Sequence, residues 1–497
     1  MPLDNMPILV SFIKIIPSVF TLAFQSQLTI IEKVRAQGGI MKKEAKTRDM
    51  TIGAPLTHLI EFTIPILFGI LFQQFYNTAD SMIVGRLLGA DALGAVGCTG
   101  NVSFLTIGLC MGTCTGFAVP VSQYFGARDE KHMKKCVGNS IWLSAAFSFF
   151  FLLLTTVFCR RILMIMRTPE DILDMAYDYL FVIFLGIPAS ILYNLLSAYL
   201  RALGNSRMPL ISLILSSVLN ILTDILFISV FHMGVGGAAW ATILSQAVSG
   251  IVCLIYIVRK FEPLHVGKED LKPDKRIVRK LLSAGLPMGL QYSITAIGGS
   301  ILQASINGLG KQVITTFSIG GRVEGFLGCV FNALGSTMAT YCGQNVGAGK
   351  YDRVKKGIRA ALLISFVYSV LVFFVLLFFG KSVALIFVNK EETEIIGYVG
   401  KYLVILGASF ILLALVNVVR PAIQGMGFAS VAMFAGLCEL VGRGLAGIIL
   451  VPKFGFYGAC FGAPAAWILA DIFLVTALSL LLKKAAKKSA APTTYDD

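Results

Sequence analysis

From residue 55 to residue 482 the chain repeats one pattern. Apolar stretches of about 20–30 residues alternate with short segments where Gly, Asn, Asp, Lys and Arg gather. A helix of that length crosses a hydrocarbon core of ~30 Å. The pattern predicts twelve spanning helices, at about 57–84, 90–124, 133–159, 172–200, 208–230, 236–258, 277–306, 312–345, 354–387, 393–424, 428–451 and 456–482. Gly and Pro inside several spans are compatible with a bundle, because neighbouring helices restore the freed backbone groups. The longest polar interval, 261–276, separates six spans from six. The expected organisation is an N-terminal extension and leader (1–50), a six-helix lobe (51–260), a linker (261–276), a second six-helix lobe (277–482) and a tail (483–497).

The two halves repeat each other at a shift of about 221–223 residues. Ser122-Gln123-Tyr124-Phe125-Gly126-Ala127 matches Gly343-Gln344-Asn345-Val346-Gly347-Ala348, Lys134-Lys135 matches Lys355-Lys356, Pro65 matches Pro287, and Gly204 matches Gly427. Gly234, Gly237 and Ala238 match Gly455, Gly458 and Ala459. An even number of spans per half means that both halves enter the membrane from the same side. They are then related by a pseudo-twofold axis along the membrane normal, an arrangement in which two bundles can rock about a central cavity. A pore on the same axis has the same symmetry.

Composition supports an integral membrane protein. Of 497 residues, 56% are hydrophobic and 14% charged, too few charges to cover soluble domains. The net charge of +15 does not indicate nucleic-acid binding, because the basic residues are dispersed between apolar spans. About 27 Lys and Arg lie on the side that holds the leader, the even-numbered loops and the tail, against about 8 on the other. Both termini are therefore expected in the cytoplasm of a plasma-membrane protein. The ten cysteines show no CxxC spacing and the four histidines are far apart, so no zinc site is expected and the thiols read as reduced packing residues. Residues 1–40 do not fit the pattern: their apolar stretch is interrupted by Lys14 and Pro17, and Met41-Lys42-Lys43-Glu44-Ala45-Lys46 reads like a second start. They are expected to be an extension.

Acids inside spans are costly and hence candidates for function, at ~2.5–3.5 kcal/mol for an Asp at mid-helix. Asp80 ends a polar stripe on the first span, with Asn77, Tyr76 and Gln73 at i−3, i−4 and i−7. Asp224 follows Asn220 by one turn in the fifth span, and Thr242 in the sixth could complete an oxygen-lined pocket. Such a group suits a proton or Na⁺ equally. At the repeat shift Asp80 falls on Leu302, and Asp224 falls on Leu445, Ala446 or Gly447, so the fold does not require the acids. In the second half, Glu439 with Arg443 and Arg322 with Glu324 read as mutually compensating pairs. Pro65, inside the first span, is expected to kink it.

Ile64-Pro65, then Gln73-Gln74-Phe75-Tyr76-Asn77-Thr78-Ala79-Asp80, then Val84-Gly85-Arg86-Leu87-Leu88-Gly89 resembles the first helix of multidrug and toxic compound extrusion (MATE) transporters. Gly343-Gln344-Asn345-Val346-Gly347-Ala348-Gly349-Lys350 resembles the loop after their eighth helix. Asn220-Ile221-Leu222-Thr223-Asp224 and Gly236-Gly237-Ala238-Ala239-Trp240-Ala241-Thr242 resemble their fifth and sixth helices. The resemblance covers about residues 51–482. It implies efflux of small organic, mostly cationic compounds in exchange for H⁺ or Na⁺, by a monomer in the bilayer. It also implies that Asp80, Asn220, Asp224 and Thr242 form the ion-coupling site and that the bend at Pro65 responds to protonation of Asp80. No cofactor beyond the coupling ion is expected, and no metal other than Na⁺ at Asp80 and Asp224. Some family members carry a coupling acid in helix seven or ten; here Gln291 follows Pro287 and Asn417 occupies mid-span ten, leaving Glu439 as the candidate second-half acid. The rivals are a lipid-linked oligosaccharide flippase of the same superfamily, a membrane-embedded enzyme and a channel. A flippase favours a basic cavity, and an enzyme needs a cluster of catalytic acids or metal ligands that the sequence does not display. No GxxxxGK[ST] run for ATP is present.

Overall fold

The computed structural model describes residues 47–166 and 168–490. The expected extension at 1–40, the Met41 run and the last residues of the tail lie outside them. All regular structure among the described residues is helical. The helices are α1 (Pro55–Leu87), α2 (Ala90–Gly126), α3 (Glu130–Ile165), α4 (Glu170–Leu185), α5 (Ile187–Ala202), α6 (Arg207–Ile225) and α7 (Gly234–Lys260). The second half holds α8 (Lys275–Asn307), α9 (Lys311–Gly347), α10 (Tyr351–Ala384), α11 (Thr393–Gly425), α12 (Ala429–Leu445), α13 (Val451–Cys460) and α14 (Gly462–Ala490). Each expected span falls on one of these helices or on a bent pair. Ten are long and apolar enough to cross a membrane, eleven with α4 and α5 counted as one span. The remaining expected span is α8, which opens with Lys275, Arg276, Arg279 and Lys280 and carries Gln291 and Ser293.

Three details depart from the pattern. The fourth span is broken by 46° at Gly186, where Pro188 opens α5 and a Cβ would strike Ile243 on α7. The interval expected between spans eleven and twelve is helical: α12 passes through a π segment at Ala446–Leu450 into α13, and the break falls at Gly455. The linker at 261–276 is docked rather than loose. Asn139 on α3 accepts from Asp274 N at 2.8 Å and donates to Lys272 O at 3.2 Å, and Trp142 Nε1 donates to Leu271 O at 3.1 Å.

The repeat is visible in the backbone. A π segment at Leu226–Val230 has its counterpart at Ala446–Leu450. Gly89 and Gly310, which precede α2 and α9, share φ near +93° and +95°, a region that only glycine enters freely. One apolar core is built around Phe117, Phe184 and Tyr199 of the first half and another around Phe331, Phe410 and Trp467 of the second, and a third joins Leu59 and Phe62 of α1 to Leu334 and Met338 of α9. The first helix of each half also packs on the second helix of the other: α8 lies along α2, and α1 along α9. Gly112 and Gly116 on α2 meet Gly285 and Gly289 on α8 with no room for side chains.

At the end that carries the basic loops, the halves are closed on each other by the repeated motif. A Cβ on Gly126 would overlap the carbonyl of Gln344, and a Cβ on Gly347 would overlap that of Gln123. Gln123 Nε2 donates to Gly425 O at 3.0 Å. The leader straps this closure. Arg48 N donates to Leu203 O at 3.0 Å and Met50 N to Gln344 Oε1 at 2.9 Å, while Gln344 Nε2 reaches Ala202 O at 2.9 Å. Arg353 donates to Met50 O at 2.9 Å and Gly53 O at 2.8 Å, and Lys350 to Thr51 O at 3.0 Å. Segment 48–53 thus hydrogen-bonds to both halves at once.

Candidate functional site: buried carboxyls in each half

Asp80 on α1 and Asp224 on α6 are both buried, 8% and 0% exposed. Their carboxyls are close enough to interact, brought together because α1 packs along α6. Both oxygens of Asp224 and Oδ1 of Asp80 have no partner beyond the neighbouring carboxyl, and Oδ1 of Asn220 has none among the described residues. No salt bridge to either acid occurs among the described residues. Unpartnered buried carboxylate oxygens cost several kcal/mol unless a proton or cation satisfies them. The phenols of Tyr76 and Tyr179 lie near both carboxyls. Tyr179, on α4, carries no pattern in the sequence that would single it out.

Asn220 Nδ2 lies 3.5 Å from Thr242 Oγ1 on α7. Both residues, with Gln73, Tyr76, Ser216 and Gln246, line a cavity of about 50 Å³. That volume holds a few waters or a small cation, and falls well short of the ~300 Å³ at which pockets accept drug-sized molecules. Asp80 and Asp224 lie outside its wall. The predicted stripe on α1 is therefore split: Gln73 and Tyr76 face the cavity, Asp80 is buried beside Asp224, and Asn77 is exposed. Around Pro65 the helix assignment continues unbroken, with the proline itself buried.

The second half differs from the pairing read in the sequence. Arg322 and Glu324 do not pair; at i, i+2 they point to different sides of α9, and Arg322 is exposed. Glu324 instead lies near Arg443. Glu439, 2% exposed, does meet Arg443, at 3.7 Å, but its tighter partner is Arg420 on α11. Arg443 also donates to Thr295 O on α8 at 3.0 Å. Asp471 on α14 is within reach of the charge of Arg420, is 7% exposed and has no hydrogen-bond partner on either oxygen. Arg420 and Asp471 carry no motif or helical pairing in the sequence that marks them. The usable signal was their position inside predicted spans, where charged residues are rare.

Two pseudo-symmetric bundles, packed through α2 on α8 and α1 on α9 and holding buried acids between apolar spans, form a multi-pass membrane protein. The MatE family model matches residues 65–226 and 287–446, one stretch in each half. The chain belongs to this family of multidrug efflux transporters, MATE. It is similar to Probable multidrug resistance protein YpnP of Bacillus subtilis (strain 168), 29% identical over 385 residues that cover 76% of this chain and 86% of that protein. It is also similar to a FAD transporter of Shewanella oneidensis, 23% identical over 403 residues, 80% of this chain and 88% of that one. Among solved structures, a MATE in the bent conformation superposes with a TM-score of 0.83 at 23% identity, over 90% of this chain and all of that one.

Proposed function

We propose that this protein exports small organic compounds, mostly cationic, in exchange for H⁺ or Na⁺ by alternating access. It acts as a monomer in the plasma membrane, with both termini in the cytoplasm. The observation that carries the reading is the Asp80–Asp224 pair: two adjacent carboxyls, buried in a membrane bundle and short of donors, with no ion pair to a base among the described residues. Asn220 and Thr242 supply neutral oxygens next to it. An ion arriving from outside satisfies the pair, and α1, which carries Asp80 on one side of Pro65 and packs on α9, passes the change to the other half. One pH unit supplies ~1.4 kcal/mol per proton and 100 mV a further ~2.3 kcal/mol per charge. The closed basic end corresponds to a protein that faces outward, ready for the ion.

The test uses purified protein in liposomes loaded with a fluorescent organic cation, under a pH gradient or a Na⁺ gradient imposed separately. Efflux driven by one gradient, reduced at least about tenfold in Asp80→Asn and Asp224→Asn, is the expected result and names the ion. Equal efflux in the variants would remove the site from the coupling mechanism. No gradient-driven movement of any cation would sink the antiport reading in favour of the flippase, with lipid-linked sugars as the next substrates.

A further inference from the structure

The second half contains a carboxyl with the same physical signature as Asp224. Asp471 lies nine residues into α14, about 13 Å from its start. Both its oxygens are buried and unpartnered. On α11, which packs against α14, Arg420 is the base whose charge reaches it, and Arg420 Nε is also buried without an acceptor. The other side of the Arg420 guanidinium is held by Glu439, and Glu439 is shared with Arg443. On the helices packed against α14, Glu439 and Arg443 of α12 stand beyond Arg420, and α10 and α13 bring no charged group to Asp471 among the described residues. Tyr292 on α8 and Glu324 on α9 lie near Arg420 and Arg443 respectively.

A buried donor without an acceptor and a buried acceptor without a donor thus lie on two packed helices, out of salt-bridge reach of each other in this arrangement. Two arrangements remove both deficits. In one, Arg420 stays on Glu439 and Asp471 carries a proton. In the other, Arg420 turns to the Asp471 carboxylate, and Glu439 keeps Arg443 as its counter-ion.

We infer that Asp471 is a proton-binding site of the second half, with Arg420 exchanging between Glu439 and Asp471 as the proton enters and leaves. The balance is simple. The Asp471 O–H bond breaks, the proton goes to water, and Arg420 donates an N–H to the oxygen that lost it. Arg420, Arg443 and Glu439 keep their charges throughout, so the group of four passes from one net positive charge to none. Among the described residues no base is paired with Asp80 or Asp224, so the two halves would bind protons by different chemistry. The use of this proton in transport rests on the antiport reading above; its binding does not.

The test is infrared difference spectroscopy of the full chain in lipid nanodiscs, between acidic and alkaline buffer, in the range of carboxylic-acid C=O stretches. Asp471→Asn should remove a pH-dependent acid band that the Asp80→Asn/Asp224→Asn double variant retains. An Asp471→Asn spectrum identical to wild type would overturn the site. Should that variant fail to fold, Asp471→Glu keeps the acid and must shift the band; an unshifted band overturns the site equally. Glu439→Gln leaves Arg420 to Asp471 alone, so the band should vanish in more acidic buffer than in wild type, and an unchanged titration overturns the exchange. In liposomes, Asp471→Asn should lower the proton-to-substrate ratio. If wild type moves no cation down either gradient, the antiport reading fails while the band still decides the site.

Discussion

Single side chains set how the helices begin and which buried groups stay unsatisfied. Asp274 caps α8 by accepting from Arg276 N at 2.9 Å and Ile277 N at 3.3 Å. Those backbone donors, chiefly that of Ile277, hold its carboxyl below the usual carboxylate range. Asp129 does the same for α3 through His132 N, at 3.1 Å. A carboxylate depressed on folding contributes stability above its unfolded value of ~3.9, and loses it as pH falls through the folded value. Asp274→Asn should therefore melt below wild type at neutral pH, and the gap should close as the buffer is acidified past that point. Thermal unfolding of the detergent-solubilised pair across pH checks this; a gap that persists in strong acid contradicts it. The caps are half-exposed, so the effect is a local one.

At the scale of the element, the decisive feature is the crossing of α2 and α9 at the basic end. It relies on glycine, because a side chain at Gly126 or Gly347 has nowhere to go but into the opposite backbone. A Gly347→Val substitution should force the crossing apart and leave the cores around Phe184 and Phe410, away from the crossing, intact. Cys342, fully buried on α9 five residues before Gly347, reports the change. Its labelling by a maleimide, resolved from the other thiols by peptide mass spectrometry, should be at least about tenfold faster in the variant, as expected for a displaced local opening equilibrium. No change in rate would mean that the crossing adapts without opening. The leader shares in this closure through Arg353 and Lys350.

For the whole molecule, alternating access requires the contacts between halves at the basic end to part in every cycle. Ser122 on α2 and Gly343 on α9 are repeat mates that face each other there. A Cβ on Gly343 would lie 3.1 Å from Ser122 Cβ, closer than the ~3.5–4.5 Å of a disulfide, so a small parting of the two helices would admit the bond. The pair Ser122→Cys/Gly343→Cys should oxidise readily, stop efflux from liposomes, and recover it on reduction. Efflux that continues with the bond formed would rule out opening at this end.

The sequence by itself determined much of this protein. Period and length placed twelve spans, because a bilayer demands ~20 apolar residues per crossing and the backbone groups of each must be satisfied within a helix. The internal repeat gave the symmetry, and the residue motifs gave the family. The rarity of charge in the spans singled out Asp80 and Asp224, and the structure brings them together. What the sequence could not determine is set by residues far apart in the chain. Met50 meets Gln344 across 294 positions, and Glu439 takes Arg420, 19 positions away on another helix, more closely than its own i+4 neighbour Arg443. Asn77 and Tyr76 share one helical stripe, yet only the packing of α1 decides which faces the cavity. Periodicity reports which face of a helix is polar. Only the tertiary structure decides which polar faces meet, because in an apolar medium each unpaired group is satisfied by whichever neighbour the packing delivers.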